Sequence, residues 1–440
     1  MVHPARFLGR AALLALLAAV ASPQNRIDTV TPMAPELAGY GPLSVGVRTI
    51  QVTDRNRPDI LNTKPGEPTV RYDRTLTVEV WYPASLPTEK APRGDYPGVL
   101  TRDPAMVVTL HGRAVRDAAP LGKEGGYPLV IVSHGYPGGR YLLSHLTENL
   151  ASKGYVVASI DHKDSTYDDQ KAFSSTLYNR PFDVLAVLDE LQRSSRRESA
   201  TVWGGLIDAS RTGVVGYSMG GYGVVNLLGG GFATSFTSRE GSPPNGLLSE
   251  RGASNPAYAK SMDPRIKAAI AIAPWGMQVG AWDVDGLAGI TRPVMFVAGS
   301  ADDVSEYEKG TRAIYLAARN ADRYLLTFLG ASHNAGAPIQ APEETYVSKD
   351  GRPPGFTHYG DAVWDTVRMN NILDHFATAF FDLRLKGDAG RQAYLDLIPN
   401  GKDGVFNVDK DGKPTAAHTY WKGFSRRTAV GLVLEHLAGK

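Results

Sequence analysis

At 440 residues, with 42% hydrophobic, 21% charged and 9% aromatic content, the chain has a globular composition and enough length for a large buried core. Its 47 basic and 45 acidic residues nearly cancel, leaving a formal charge of +2, which excludes the dense basic surface of a nucleic-acid binder. With no cysteine present, disulfides, thiolate nucleophiles, cysteine metal sites and a lipoprotein anchor are excluded together.

Arg6 and Arg10 precede the apolar run Ala11–Val20, and Ala19, Val20, Ala21 close it with small residues at the outer positions. This is the order of an export signal with cleavage near Ala21, so a secreted or periplasmic protein is expected. The run is about half the length a bilayer span requires, so no stable membrane anchor is expected. Cleavage would remove both arginines and no acid, leaving 45 basic (47 − 2) and 45 acidic residues.

Residues 22–40 lack periodicity and read as a leader linker, with structure beginning near Gly41 and a single catalytic domain spanning 41–440. Val45–Val52 and Thr75–Tyr82 have the composition of antiparallel strands at the sheet's leading edge. From Tyr127 onward short apolar runs alternate with helical periods. Pro128–Ser133, Tyr155–Ile160, Thr212–Gly216, Ile266–Ala273, Pro293–Ala298 and Tyr324–Leu329 read as buried parallel strands. Tyr141–Ser152, Pro181–Arg193, Met219–Leu228 and Glu306–Arg319 carry apolar residues at helical spacing. The alternation predicts an α/β fold, a doubly wound, mostly parallel sheet with helices on both faces. Gly229–Asp263 reads as an inserted loop or small cap over the C-terminal sheet edge, and Gly351–Lys440 as an extension with one helix over Ala362–Lys386.

Gly216-Tyr217-Ser218-Met219-Gly220 has the Gly-x-Ser-x-Gly pattern, following a strand and opening a helical period. In that setting the serine sits on a strained turn that lifts Oγ above the sheet, and the glycines remove side chains that would crowd it. A serine hydroxyl needs a base and an orienting carboxylate, which follow it in the order acid, then histidine. Of 10 histidines, five lie downstream of the strand Pro293–Ala298, and among these His333 sits in the loop directly after the predicted strand Tyr324–Leu329, at the C-terminal sheet edge. His375 and His436 fall in helical patterns, and His358 and His418 in polar segments. These four read as structural or exposed, with His358 the alternative that would reach the site. Asp302 lies 84 residues after Ser218 and 31 before His333. Asp303 is its adjacent competitor; one carboxylate would face the imidazole and the other cap the helix near Glu306.

Oxyanion-binding N–H groups are expected from Met219 and from the His134–Gly139 turn, where Tyr136 is the best placed. His134 reads as a packing residue. Asn407–Gly412 resembles the start of a calcium loop, but His418 stands where a bidentate glutamate belongs, so a hairpin turn is expected and no metal. Gly229–Gly231 lacks the residues of a phosphate loop, so no cofactor is expected.

The runs PLVIVSHGYPGGR, GYSMGG, IAPW, AGSADD and GASH together resemble the α/β-hydrolase superfamily over roughly residues 127–334. They look closest to the predicted dienelactone hydrolase and platelet-activating-factor acetylhydrolase-like group, with bacterial cutinases and polyester hydrolases as neighbours. The resemblance implies Ser218, Asp302 and His333 as catalytic residues, Tyr136 and Met219 as oxyanion donors, and Trp275 as an aromatic wall. Dienelactone hydrolases use a cysteine nucleophile, so lactone chemistry is not implied. The expected function is a serine carboxylic-ester hydrolase acting on short-chain or aromatic esters. Tyr136, Tyr217, Trp275 and the insertion would face a small-molecule or polymeric ester. A peptidase, an acyltransferase and a cutinase-like polyester hydrolase are the alternatives.

Overall fold

The computed structural model describes residues 24–86, 94–347 and 355–440; the export signal expected over residues 1–21 lies outside the described residues. Strands β1 (Val45–Pro58) and β2 (Arg71–Ser85) pair antiparallel at one side of the main sheet. A hairpin follows, β3 (Asp95–Leu100) with β4 (Val107–His111), and then the two-residue strands β5 (Val115–Arg116) and β6 (Ala119–Pro120). The predicted parallel strands are β7 (Tyr127–Ser133), β8 (Val156–Asp161), β9 (Ile207–Tyr217), β10 (Ile266–Ile272), β11 (Val294–Gly299) and β12 (Arg323–Phe328). A last strand, β13 (Leu432–Leu437), closes the far edge antiparallel to β12.

The order β13-β12-β11-β10-β9-β7-β8-β2-β1-β5 makes the chain leave β7 toward β8 on one side and resume from β9 toward β12 on the other. Such a reversal opens a crevice at the carboxyl ends of the flanking strands, here β7 and β9. The Tyr136 turn follows β7 and Ser218 follows β9.

Helices α1 (Ser144–Ser152) and α8 (Thr366–Leu385) cover one face; α2 (Phe173–Ser194), α3 (Met219–Leu227) and α7 (Arg312–Ala317) cover the other. Alternate residues of β7 serve opposite cores: Val130 and Val132 join Leu146 and Phe376, while Leu129 and Ile131 join Val184 and Val224. That two-sided burial is why β7 and β11 are apolar along nearly all of their lengths and β12 through its centre. Each such side chain contributes about 1.5–3 kcal/mol.

Four expectations are corrected. The helix expected from Pro181 begins at Phe173, with Pro181 inside it. Proline leaves the carbonyl four residues back without a helical donor. That carbonyl, on Leu177, accepts the Tyr222 hydroxyl at 3.0 Å, so α3 supplies the missing bond. The expected helix Glu306–Arg319 is a π turn (Tyr307–Thr311) followed by the shorter α7. Structure begins well before Gly41: Ile27 and Asn25 exchange backbone bonds with His111, and the Leu37 N–H donates to His375 Nδ1 at 3.1 Å. Backbone pairing of this kind leaves no periodic trace in composition. Finally His436, read as helical, stands on β13, stacked on Tyr324 at 4.3 Å.

The 229–263 segment forms helices α4 (Thr234–Thr237) and α5 (Pro256–Lys260) around a turn over Pro244–Arg251. Phe232, Phe236, Leu248 and Tyr258 are buried, Phe232 stacks on Tyr222 at 5.0 Å, and the Arg251 guanidinium lies over Phe182 of α2. It therefore thickens the α2–α3 layer as packed structure. The Asn407–Gly412 motif is a turn, as expected: the Asp409 carboxylate accepts the N–H groups of Asp411 and Lys413.

Candidate active site

Ser218 follows the last residue of β9 and precedes the first of α3, at φ 52° and ψ −111°. A non-glycine residue in this region is strained and is held there by its surroundings. Its N–H donates to Ile272 O at 2.9 Å, and its carbonyl accepts the N–H groups of Tyr222 and Trp275. The flanking glycines are required sterically: a Cβ on Gly216 would run into the Gly220 carbonyl, and one on Gly220 into the Ser133 carbonyl. A second strained residue, Ala273 at φ 43°, directly follows β10, next to the Ile272 carbonyl that holds the Ser218 N–H.

After β11 the chain turns at Asp302, whose Oδ1 accepts the N–H groups of Val304 and Ser305 at 2.9 and 3.0 Å. Both carboxylate oxygens lie 3.1 Å from His333 Nδ1 in the loop after β12. Burial would raise the Asp302 pKa, but the His333 contact and the two backbone N–H groups outweigh it, and the carboxyl is held below its usual range. Asp303 is exposed. The expected division of labour is thus corrected: Asp302 both faces the imidazole and closes its own turn.

Tyr217 is buried, its ring 5.2 Å from the His333 ring and its hydroxyl donating to Asn334 Oδ1 at 2.8 Å. Burial and the Asp302 charge push its pKa up, so it remains a donor. It supports the imidazole from one side, where the sequence suggested a substrate contact. Trp275 and Tyr136 are half-buried and joined through Phe173 by edge-to-face contacts of 5.2 and 5.3 Å. Met219 is the first residue of α3, where helix N–H groups have no intrahelical acceptor.

Of the other histidines, His134 is fully buried, donating from Nδ1 to Gly135 O and accepting the His162 N–H at Nε2. His358 is half-buried in a turn whose carbonyls hold Asn334, and its Nε2 accepts from the Tyr167 hydroxyl at 3.0 Å. His375 is buried in α8, and His418 packs on Phe406. A cleft of about 380 Å³ is lined by Tyr167 and Tyr359, which flank His358, and by Arg140 and Asp161; none of Ser218, Asp302 or His333 lines it.

Three contributors have no signature in the sequence. Phe173 opens α2 eight residues before Pro181, where the apolar helical spacing begins. Asn334 adjoins His333, but its role depends on Tyr217. Asp361 accepts both the N–H and the hydroxyl of Ser332 at 2.7 Å, steadying the histidine loop from a segment 29 residues on.

A family model for platelet-activating factor acetylhydrolase, isoform II, matches residues 98–179. A cutinase from Thermobifida alba is 26% identical over 210 residues, 48% of this chain and 53% of that protein. A bis(hydroxyethyl) terephthalate hydrolase from Streptomyces coelicolor is 26% identical over 252 residues, 56% of this chain and 64% of its own length. The chain spans about half the length of the curated relatives it matches. A ferulic acid esterase from Streptomyces cinnamoneus superposes with a TM-score of 0.54 at 20% identity, covering 90% of this chain and 98% of that one. The chain therefore has the α/β-hydrolase fold and is similar, over about half its length, to a cutinase and a terephthalate-ester hydrolase.

Proposed function

We propose that this protein is an exported serine carboxylic-ester hydrolase working through an acyl-enzyme, with Ser218 as nucleophile, His333 as base and Asp302 as the orienting acid. The observation that carries the reading is the Asp302–His333 contact, which ties up Nδ1 and leaves Nε2 as the only ring nitrogen free for a serine proton. His333 takes that proton as Ser218 attacks the ester carbonyl, then returns it to the leaving alcohol; water repeats the cycle to release the acid. Backbone N–H groups of Met219 and Tyr136 hold the oxyanion, Met219 with the added favourable field of a helix N-terminus.

The Tyr136–Phe173–Trp275 series favours short acyl or aromatic ester substrates, since flat apolar rings match edge-to-face walls. Among the described residues no helix is long and apolar enough to cross a membrane. The test is hydrolysis of p-nitrophenyl acetate, longer p-nitrophenyl esters and ethyl ferulate, with fluorophosphonate labelling of the serine. Ser218→Ala should lose about 10⁴- to 10⁶-fold in kcat and all labelling. Full activity in that variant overturns the reading.

A further inference from the structure

Arg180 is 1% exposed, yet among the described residues no carboxylate bonds it directly; the neighbouring Asp183 spends its oxygens on Arg57, Arg74 and His162. Its guanidinium instead donates Nη1 to His134 O and Nη2 to Gly135 O at 2.8 Å, with a further bond from Nη2 to Ser165 Oγ at 2.9 Å. Burial works against its charge and lowers its pKa. A buried cation spent on two successive carbonyls of one turn is costly unless that turn must be held. Gly135 O receives a second donor as well, His134 Nδ1 at 2.7 Å. The same turn lies against the nucleophile, since a Cβ on Gly135 would stand 3.4 Å from Ser218 Cβ.

The Gly135–Tyr136 peptide is planar and trans. In such a unit the C=O and the N–H point in opposite directions, so the groups that grip Gly135 O also set where the Tyr136 N–H points. A positive donor on the carbonyl draws electron density from the amide nitrogen and strengthens that N–H as a donor. Resting on the hydrolase reading above, we propose that Arg180 and His134 are positioning residues that aim and polarise the Tyr136 N–H toward the oxyanion.

The experiment compares Arg180→Met and Arg180→Lys with wild type on p-nitrophenyl acetate, together with inhibition by an alkyl trifluoromethyl ketone, whose hemiketal places an oxyanion in the site. Arg180→Met should lose about 10²-fold in kcat, the scale of one lost oxyanion donor, with KM within about threefold. The trifluoromethyl ketone should weaken by the same factor, and Arg180→Lys should recover part of both. If Arg180→Met does not fold, His134→Leu and His134→Asn decide. Leu should lose about tenfold in kcat and in ketone affinity, and Asn, whose side-chain N–H reaches the same carbonyl, should restore most of it. Loss of stability with unchanged kcat, or loss of kcat with unchanged ketone affinity, overturns the proposal. Wild type that neither hydrolyses esters nor labels at Ser218 overturns the hydrolase reading instead.

Discussion

Asp302 presents both carboxylate oxygens to His333 Nδ1 at 3.1 Å while Oδ1 also accepts two backbone N–H groups of its own turn. One residue thereby selects the imidazole tautomer and fixes the loop that carries it. Asp302→Asn keeps the shape but offers an amide where a carboxylate stabilised the protonated ring. Its kcat on p-nitrophenyl esters should fall about 10⁴-fold. Asp303→Ala, a change at an exposed neighbour, should stay within about threefold of wild type.

Tyr222 satisfies the Leu177 carbonyl that Pro181 leaves without a helical donor. Tyr222→Phe strands a buried acceptor, and denaturant unfolding should show a loss of about 1–3 kcal/mol. The residual folded enzyme should keep its KM, because the hydroxyl faces α2. An unchanged midpoint would mean that water reaches that carbonyl.

Trp275→Ala removes one end of the aromatic series and tests what the wall recognises. Ethyl ferulate should lose up to about tenfold in kcat/KM, the equivalent of one aromatic contact of about 0.5–1.5 kcal/mol. p-Nitrophenyl acetate should change less, so the ratio of the two rates is the measurement. Equal losses on both esters would move the acyl group away from Trp275.

Stability should decline on the acid side from about pH 6.5, the ordinary imidazole pKa. Burial, reinforced by neighbouring cations, depresses His162 to about 4 and His358 and His375 to about 3. The unfolded chain therefore binds protons between pH 6.5 and 3 that the folded chain refuses, and stability rises with pH through that window. Each neutral buried imidazole contributes about 1.4 kcal/mol per pH unit while the difference lasts. Asp183 and Asp302, both depressed in the fold, act in the same direction below about pH 4, where their unfolded counterparts begin to protonate. Melting temperatures from pH 8 to pH 4 in constant salt should fall continuously below pH 6.5; a flat profile to pH 4.5 would contradict the buried neutral state.

Much of this protein is written locally. The strands around the Gly216–Gly220 turn announce themselves as continuous apolar runs because both of their faces are buried, and Gly216 and Gly220 are dictated by carbonyls a few residues away or across one strand. The placement of Asp302 and His333 in loops after successive parallel strands also follows from chain order, since every such loop emerges at the same sheet edge. What only the tertiary structure decided rests on contacts between segments distant in sequence. The Leu177 carbonyl that Pro181 leaves without a helical donor inside α2 finds its donor in Tyr222, on another helix. Both β13 and the segment before β1 gain their hydrogen bonds from edges that close only after folding. Arg180 reads locally as an ordinary helix residue beside a proline, and its grip on the His134 and Gly135 carbonyls exists because β7 and α2 pack face to face. Local pattern records which side chains avoid water, whereas the partner of a buried polar group is known only once the chain has brought the two together.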